Sequence, residues 1–358
     1  MDSSSLFRRP EVELLVRMVR APANHQNADK VATILQRDIN WPAFLRHARR
    51  HGVLPLVYRY VKAADRLPIP GHVVEQLKKH YLHNSRHNFL KTGILLRILQ
   101  RLEQAGILAI PYRGPTLAMM AYRDLGLRVF GDLDLQIRRP DLERAREILL
   151  DEGFRSAYGL TATEEEGFLR NKGQLPLLLD EQHLIELHLE LFHPSFGFKL
   201  NHDALEGRLK PVCVAGRSVL TYCPEDLLLI LSAHGAKHFW ISLGWICDLA
   251  ELIHAQPTLD WIAMIEAAGA AGGKRMFFLG VFLAREFSAA PVPAEVMSAI
   301  RKERTLPPLA AGISRRLFSA RWPTAWEKAW FLLHTRDRIQ DGLRDLLSRL
   351  FILPEPNP

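Results

Sequence analysis

Hydrophobic residues change their spacing twice along the chain, and these changes divide it into three stretches. In residues 1–105, and again from residue 223, apolar residues recur every three or four positions, which is typical of amphipathic helices. Between them, short apolar runs and alternating residues are typical of strands. We therefore predict an α+β fold with a small mixed sheet in residues 106–222, helical regions at 1–105 and 223–350, and a disordered tail at 351–358.

The longest helical pattern, residues 72–104, leads directly into a predicted strand at residues 107–112. The apolar face of this helix includes Leu77, Phe89 and Leu95, and we expect that face to be buried. After the strand comes a sharp turn, Arg113-Gly114-Pro115, and then a short predicted helix. Glycine lets the backbone approach a ligand, and the free N–H groups at the start of a helix favour an anion, so the turn is a candidate phosphate-binding element.

Two aspartates lie on the next predicted strand. Asp132 and Asp134 are two positions apart, so their side chains point to the same side of a strand, roughly 7 Å from each other. Two like charges in this arrangement repel unless something neutralises them. Mg²⁺ binds a few carboxylates together with the oxygens of a triphosphate, so the pair is a candidate metal site, but Asp-Leu-Asp is also frequent on solvated strand faces. The order strand, glycine turn, helix, arginine loop and Asp-x-Asp strand favours the metal site.

A predicted helix at residues 140–152 separates this strand from a predicted hairpin, residues 174–180 and 184–191. A helix that connects two strands indicates a sheet that is partly parallel. In the second strand of the hairpin, alternation places Glu186 and His188 on one face, opposite an apolar face. On pattern alone, such a polar face is more often solvated than functional.

Composition and charge describe an ordinary folded protein with a basic surface. The 358 residues carry a formal net charge of +8, which suits a nucleotide, a nucleic acid or a membrane surface. The chain has no apolar run of membrane-spanning length and no secretory signal pattern, so we expect a cytoplasmic protein without a membrane span. Its three cysteines form no metal-binding spacing, and we expect them to be reduced.

Residues 107–137 resemble the active-site core of the polymerase-beta-like nucleotidyltransferase superfamily, and in particular bacterial proteins called uncharacterised nucleotidyltransferases. Members carry a Gly-Ser turn, an Asp-x-Asp and a third carboxylate on a later strand. Gly114 matches the glycine, Arg113 matches a basic residue that is usual before it, and Asp132 and Asp134 match the acidic pair. Pro115 stands in place of the serine, which removes one hydroxyl from the phosphate site.

The resemblance continues at two later places. The segment Glu186-Leu187-His188 stands where these proteins have an acidic residue followed by Leu-His, which implies that Glu186 is the third carboxylate and His188 its neighbour. The sequence HGAKHFWISLGWICDLAEL is similar to their helical-domain signature. It implies that Lys237 binds the triphosphate, supported by His234 and His238, with Asp248 as a structural partner. From spacing alone, these three basic residues also fit the C-terminal end of a helix, where the helix dipole favours cations.

The function implied by the resemblance is metal-dependent transfer of a nucleoside monophosphate. We expect Asp132, Asp134 and Glu186 to be the catalytic residues and to bind Mg²⁺ or Mn²⁺, with Arg123 or Arg128 at the phosphates. The expected partners are an NTP and a hydroxyl or phosphate acceptor that is a small molecule, a peptide or RNA. Three alternatives stay open: a toxin or defence enzyme that acts on tRNA, an enzyme that tailors a peptide or small molecule, and an inactive nucleotide-binding module.

Overall fold

The computed structural model describes residues 9–20, 25–64, 67–157, 159, 161–319 and 321–351. Within these residues, helices surround a small mixed sheet, so the predicted α+β fold is confirmed. Phe351 ends the last helix, and the rest of the predicted disordered tail, residues 352–358, lies outside the described part.

Five helices form the first part of the chain. They are α1 (Pro10–Met18), α2 (His25–Leu35), α3 (Trp41–Arg50), α4 (Leu54–Ala63) and α5 (Gly71–Gln104). Proline lies in the first turn of α1, α3 and α4. N–H groups there have no partner within the helix, so the N–H that proline lacks is not needed. The helical pattern at residues 72–104 forms one continuous helix, α5, of 34 residues. Phe89 was wrongly placed on its buried face: that side chain is 65% exposed.

The central sheet has five strands in the order β1-β2-β5-β4-β3. They are β1 (Ile110–Pro111), β2 (Asp132–Gln136), β3 (Arg155–Ser156), β4 (Gln174–Leu179) and β5 (His183–His188). Strands β2 and β5 are parallel and the other pairs are antiparallel, so the predicted crossover and hairpin are both confirmed. The first strand is shorter than the predicted 107–112, and β3 was not predicted because two residues carry no periodicity.

Shorter helices connect these strands. They are α6 (Gly114–Leu117), α7 (Leu142–Asp151), α8 (Ala162–Lys172) and α9 (His202–Glu206). A π-helical turn, Ala118–Tyr122, continues α6, and a 3₁₀ turn, Arg139–Asp141, opens α7. The sequence analysis missed α8, although its start has a recognisable signal: Thr161 and Glu164 form a capping box.

A separate hairpin, β6 (Lys210–Val214) and β7 (Arg217–Thr221), leads into the last helices. These are α10 (Pro224–Lys237), α11 (Leu243–Ala255), α12 (Trp261–Ala270), α13 (Lys274–Ser288), α14 (Ala294–Lys302), α15 (Leu306–Leu317), α16 (Ala325–Thr335) and α17 (Ile339–Phe351). None of the described helices is both long and apolar enough to cross a membrane.

Buried apolar side chains form two clusters. The larger cluster joins the N-terminal helices to the C-terminal helices, with Leu14 and Leu77 in the same core as Leu249 and Phe278. The smaller cluster joins the sheet to α7 and to the second half of α5, where Leu95 lies. Helix α5 therefore contributes to both cores and holds the sheet against the helical part of the protein.

Candidate active site

The parallel pairing of β2 and β5 brings an aspartate and a glutamate side by side. Asp134 is in register with Glu186, and Gln136 is in register with His188. Carboxylate and imidazole atoms of Asp134, Glu186 and His188 all lie within 4.8 Å of one another. We call these three residues the acidic cluster.

Hydrogen bonds fix the side chains of this cluster. His188 donates from Nε2 to Oδ1 of Asp134 at 3.0 Å, and the same nitrogen lies 3.4 Å from Oε2 of Glu186. On the other side, Gln174 donates from Nε2 to Oε1 of Glu186 at 2.9 Å. The two carboxylates are thus held in place from neighbouring strands, which reduces the rotamer freedom that a ligand has to overcome.

The turn before α6 lies directly against this cluster. Arg113 donates to Oδ1 of Asp134, and its Nη1 lies 3.1 Å from Nε2 of His234. Gly114 has a φ of +53°, in the left-handed region that side chains other than glycine rarely adopt. The glycine therefore gives the backbone the sharp bend that aims Arg113 at the carboxylates.

Burial and charge shift the pKa values of the cluster in opposite directions. Burial would raise the pKa of Asp134, but the Arg113 guanidinium and His188 outweigh it and hold that pKa well below its usual range. Burial would lower the pKa of His188, but hydrogen bonds to Asp134 and Glu186 raise it instead. The charge of Arg113 and the hydrogen bond from His188 therefore both stabilise the ionised form of Asp134.

Asp132 lies at the edge of this arrangement, at the first position of β2. It is not one of the three residues whose ligand atoms come together, and it is only partly buried. Burial, followed by the charge of Asp134, raises the pKa of Asp132. The structure thus places the predicted aspartate pair on one strand but groups Asp134, rather than Asp132, with Glu186.

Lys91 is a residue near the site that the sequence analysis missed. Its Nζ donates to the carbonyl oxygens of Phe130 and Gly131, at 3.1 and 2.6 Å, just before Asp132. The side chain is buried on α5 at helical spacing from Leu95, and this position on an apolar face was the signal that could have revealed it. Lys91 holds the backbone that leads into β2.

The donor set of the cluster fits a divalent cation. Oδ2 of Asp134 is buried and has no hydrogen-bond partner among the described residues. A buried carboxylate oxygen without a partner is unfavourable unless a cation or donor satisfies it. Carboxylates from two adjacent strands are suitable ligands for such an ion, with His188 as their hydrogen-bond neighbour.

The predicted basic residues of α10 lie beside Arg113. The rings of His234 and His238 are 4.7 Å apart, and both contact Trp245, at 5.2 and 5.4 Å between centroids. Burial, with the charge of Arg113, lowers the pKa of His234 well below its usual value. Lys237 ends α10, and its charge also acts on His234.

Arg128 has a different partner from the one predicted. It is buried and donates to Asp248 on α11, with Nε and Nη2 each 3.0 Å from a carboxylate oxygen. Tyr122 also donates to Asp248, at 2.7 Å. Asp248 is therefore a structural partner, as the sequence analysis expected, and the residues it binds are Tyr122 and Arg128, which precede β2. Arg123, the other candidate of this loop, is exposed.

A carboxylate cluster on adjacent strands, beside an arginine that leads into a glycine turn, is an arrangement that could hold a divalent metal ion. The chain belongs to the family described as uncharacterised nucleotidyltransferase, which it matches over residues 37–289. The matched region runs from α3 to α13 and includes the acidic cluster, so the family expected from the sequence is confirmed. No curated protein and no solved structure matches the chain.

Proposed function

We propose that the protein is a metal-dependent nucleotidyltransferase of the polymerase-beta-like type. In this reaction it transfers a nucleoside monophosphate from an NTP to an acceptor hydroxyl. The observation that carries the proposal is the acidic cluster, in which Asp134 keeps a buried carboxylate oxygen without a hydrogen-bond partner among the described residues. Membership in a nucleotidyltransferase family supplies the class of reaction and implies a nucleotide substrate.

Asp134 and Glu186 would hold the metal, with His188 beside them and Asp132 at the edge of the site. Carboxylate ligands favour Mg²⁺ or Mn²⁺. A bound divalent ion supplies charge stabilisation at the phosphates and lowers the pKa of an acceptor hydroxyl.

Basic side chains near the acidic cluster would bind the triphosphate. Arg113 lies between Asp134 and His234, and its buried Nε has no hydrogen-bond partner among the described residues, so this N–H group could donate to a phosphate oxygen. Gly114 sets its position, His234 contacts it, and His238 and Lys237 lie near His234 on the same helix. We assign Arg113 and Lys237 to the triphosphate.

Glu186 is the candidate general base. Gln174 fixes one of its oxygens, and the other faces His188 and the cluster. As the acceptor oxygen forms a bond to the α-phosphorus, the acceptor proton moves to Glu186. The bond from the α-phosphorus to its bridging oxygen breaks, and pyrophosphate leaves.

The test is a labelling reaction with the Asp134→Asn variant. The protein is incubated with each α-labelled NTP, with Mg²⁺ or Mn²⁺, in the presence and absence of cell extract. Asparagine keeps the shape of the side chain but removes the charge that binds the metal, so we expect transfer to fall by about 10³-fold or more. The matched control is Asp151→Asn, because Asp151 is an exposed aspartate at the end of α7.

The control is expected to keep full activity, and circular dichroism checks that both variants are folded. Transfer at the wild-type rate by folded Asp134→Asn would show that the metal assignment is wrong. The domain boundaries at residues 105 and 222 remain part of this proposal, with the chemistry placed in residues 106–222.

A further inference from the structure

A cavity of about 260 Å³ lies between the end of α3, the loop before β2 and the start of α11. Its lining includes Arg49, Arg50, His51, Arg128, Trp245 and Asp248. None of the sequence patterns pointed to this cavity, because its walls come from three distant parts of the chain. We call it the arginine cavity.

The walls of the arginine cavity carry an excess of positive charge. Arg49 and Arg50 are exposed at the end of α3, and Arg128 is buried. The carboxylate in the lining, Asp248, already accepts hydrogen bonds from Arg128 and Tyr122. Its charge is balanced by Arg128. Arg49 also bonds Nε2 of His80, and Arg50 donates to the carbonyl of Ser319. Neither bond involves a carboxylate, so the positive charge of the two arginines favours an anion in the cavity.

Arg128 also carries a donor that remains unused. Its Nε and Nη2 bond Asp248, whereas its buried Nη1 has no hydrogen-bond partner among the described residues. The side chain as a whole is only 8% exposed, so solvent does not readily satisfy this N–H group. A buried guanidinium donor without a partner points to a ligand that accepts hydrogen bonds.

Three contacting side chains connect the arginine cavity to the acidic cluster. Trp245 lines the cavity, and its ring contacts His234 at 5.2 Å between centroids. The His234 ring lies 3.1 Å from Arg113, which in turn donates to Asp134. A group in the cavity is therefore separated from the carboxylates by three contacting side chains.

We propose that the arginine cavity binds a phosphate group carried by the acceptor, and this inference rests on the proposed function. Arginine is well suited to phosphate because its N–H groups match two phosphate oxygens. The volume of about 260 Å³ is slightly below the roughly 300–1,000 Å³ of pockets that enclose drug-sized ligands. The cavity therefore takes a phosphate and the atoms attached to it, and the acceptor must extend past Trp245, His234 and Arg113 for its hydroxyl to meet the acidic cluster.

The first experiment measures binding of inorganic phosphate by calorimetry without divalent metal. The test variant is Arg49→Gln/Arg50→Gln, and the matched control is Arg46→Gln/Lys62→Gln, which removes two exposed cations of α3 and α4 outside the cavity lining. We expect phosphate to bind the test variant about tenfold or more weakly, because charge-assisted hydrogen bonds are lost. The control is expected to bind like the wild type.

Binding to Asp134→Asn is measured in the same way and is expected to be retained, since the arginine cavity does not include Asp134. This arm separates the two proposals, because it tests the cavity even if no nucleotide transfer is found. If the wild type binds no phosphate, or if the test variant binds it as tightly as the control, the cavity is not a phosphate site.

The second experiment tests the acceptor in the labelling reaction. Extract is treated with a phosphatase, which is then removed, and a parallel sample is digested with ribonuclease. Loss of labelling after phosphatase supports the proposal, and sensitivity to ribonuclease tells whether the phosphate belongs to RNA or to a small molecule. The Arg49→Gln/Arg50→Gln variant should need about tenfold more extract for half-maximal labelling, with an unchanged KM for the NTP. Labelling that survives both the phosphatase and the ribonuclease treatment would overturn the acceptor assignment.

Discussion

Trp240 is fully buried, and two glycines make room for its indole ring. A Cβ atom at Gly235 on α10 would lie 2.5 Å from the ring, and one at Gly280 on α13 would lie 3.2 Å from it. The close packing of α10 against α13 therefore requires glycine, which has no Cβ atom, at both positions. Because α10 also carries His234 and Lys237, this packing helps to position the His234 ring beside Arg113.

Replacing Gly235 with alanine should destabilise the protein. The new methyl group overlaps a fully buried ring, and overpacking of this kind typically reduces the free energy of unfolding by about 1–3 kcal/mol. The matched control is Gly93→Ala on α5, where a Cβ atom would meet nothing within 4 Å. There alanine should stabilise the helix by about 0.5–1 kcal/mol. Urea unfolding of both variants measures the difference, and equal stability of the two would contradict this account of Trp240.

At the scale of elements, the contact between α3 and α11 illustrates how backbone and side chain cooperate. The carbonyl of His51, just after α3, accepts from the N–H of Gly244 and the hydroxyl of Ser242, each at 3.2 Å. The Nδ1 atom of the His51 ring accepts from the N–H of Leu243 at 3.3 Å. His51 thus accepts from two N–H groups at the start of α11, and the Oγ of Ser242 also accepts from the N–H of Gly244.

His51 makes this contact sensitive to acid. Burial, followed by the charge of Arg50, lowers the pKa of His51 from 6.5 to about 4, so the folded protein keeps the ring neutral. The unfolded chain gains a proton near pH 6.5, whereas the folded chain resists it until about pH 4. The stabilisation is therefore complete above pH 6.5 and is lost as the pH falls from 6.5 to about 4. Its size is about 3 kcal/mol.

Replacing His51 with glutamine should remove this pH dependence. The difference in free energy of unfolding between wild type and His51→Gln is expected to shrink by about 3 kcal/mol between pH 7 and pH 4. The control is His72→Gln, since His72 is exposed in the first turn of α5. Chemical unfolding at several pH values measures both differences. A difference for His51→Gln that stays constant with pH would show that the ring is not kept neutral in the folded state.

Elements also show where local patterns were sufficient and where they were not. The capping box at Thr161 and the short strand β3 were missed, whereas the parallel pair β2 and β5 followed from a predicted crossover helix. Phe89 was misassigned because its helical face is broad, and the buried stripe passes through Lys91 and Leu95 instead. A helix of 34 residues contacts different neighbours along its length, which periodicity alone does not describe.

At the scale of the whole molecule, Arg128 and Asp248 connect the loop before β2 to α11. Both side chains are buried, and they are 120 positions apart in the sequence. Together with the larger apolar cluster, this ion pair holds the sheet against the C-terminal helices. The mutual position of Arg113 and His234 depends on the same packing.

Replacing one residue of this ion pair should destabilise the fold more than replacing both. Asp248→Leu leaves the buried Arg128 charge uncompensated, and such changes reduce the free energy of unfolding by about 3–5 kcal/mol. The double variant Arg128→Met/Asp248→Leu replaces both charges with apolar groups and should recover a large part of that loss. Urea unfolding of the two single variants and the double variant gives the coupling energy. Simple addition of the two single effects would show that the pair is not coupled.

The sequence by itself determined the elements and the faces of the elements. A period of two placed Glu186 and His188 on one side of β5, the Asp-x-Asp spacing did the same for β2, and glycine marked the turn before α6. These features are local, because strand and helix periods are set by neighbouring residues. The tertiary structure decided the partners: Arg113 for Asp134 and His234, Arg128 for Asp248, and three arginines around one cavity. These partners come from distant positions, and which of them meet depends on how the two apolar cores pack, which no local pattern encodes.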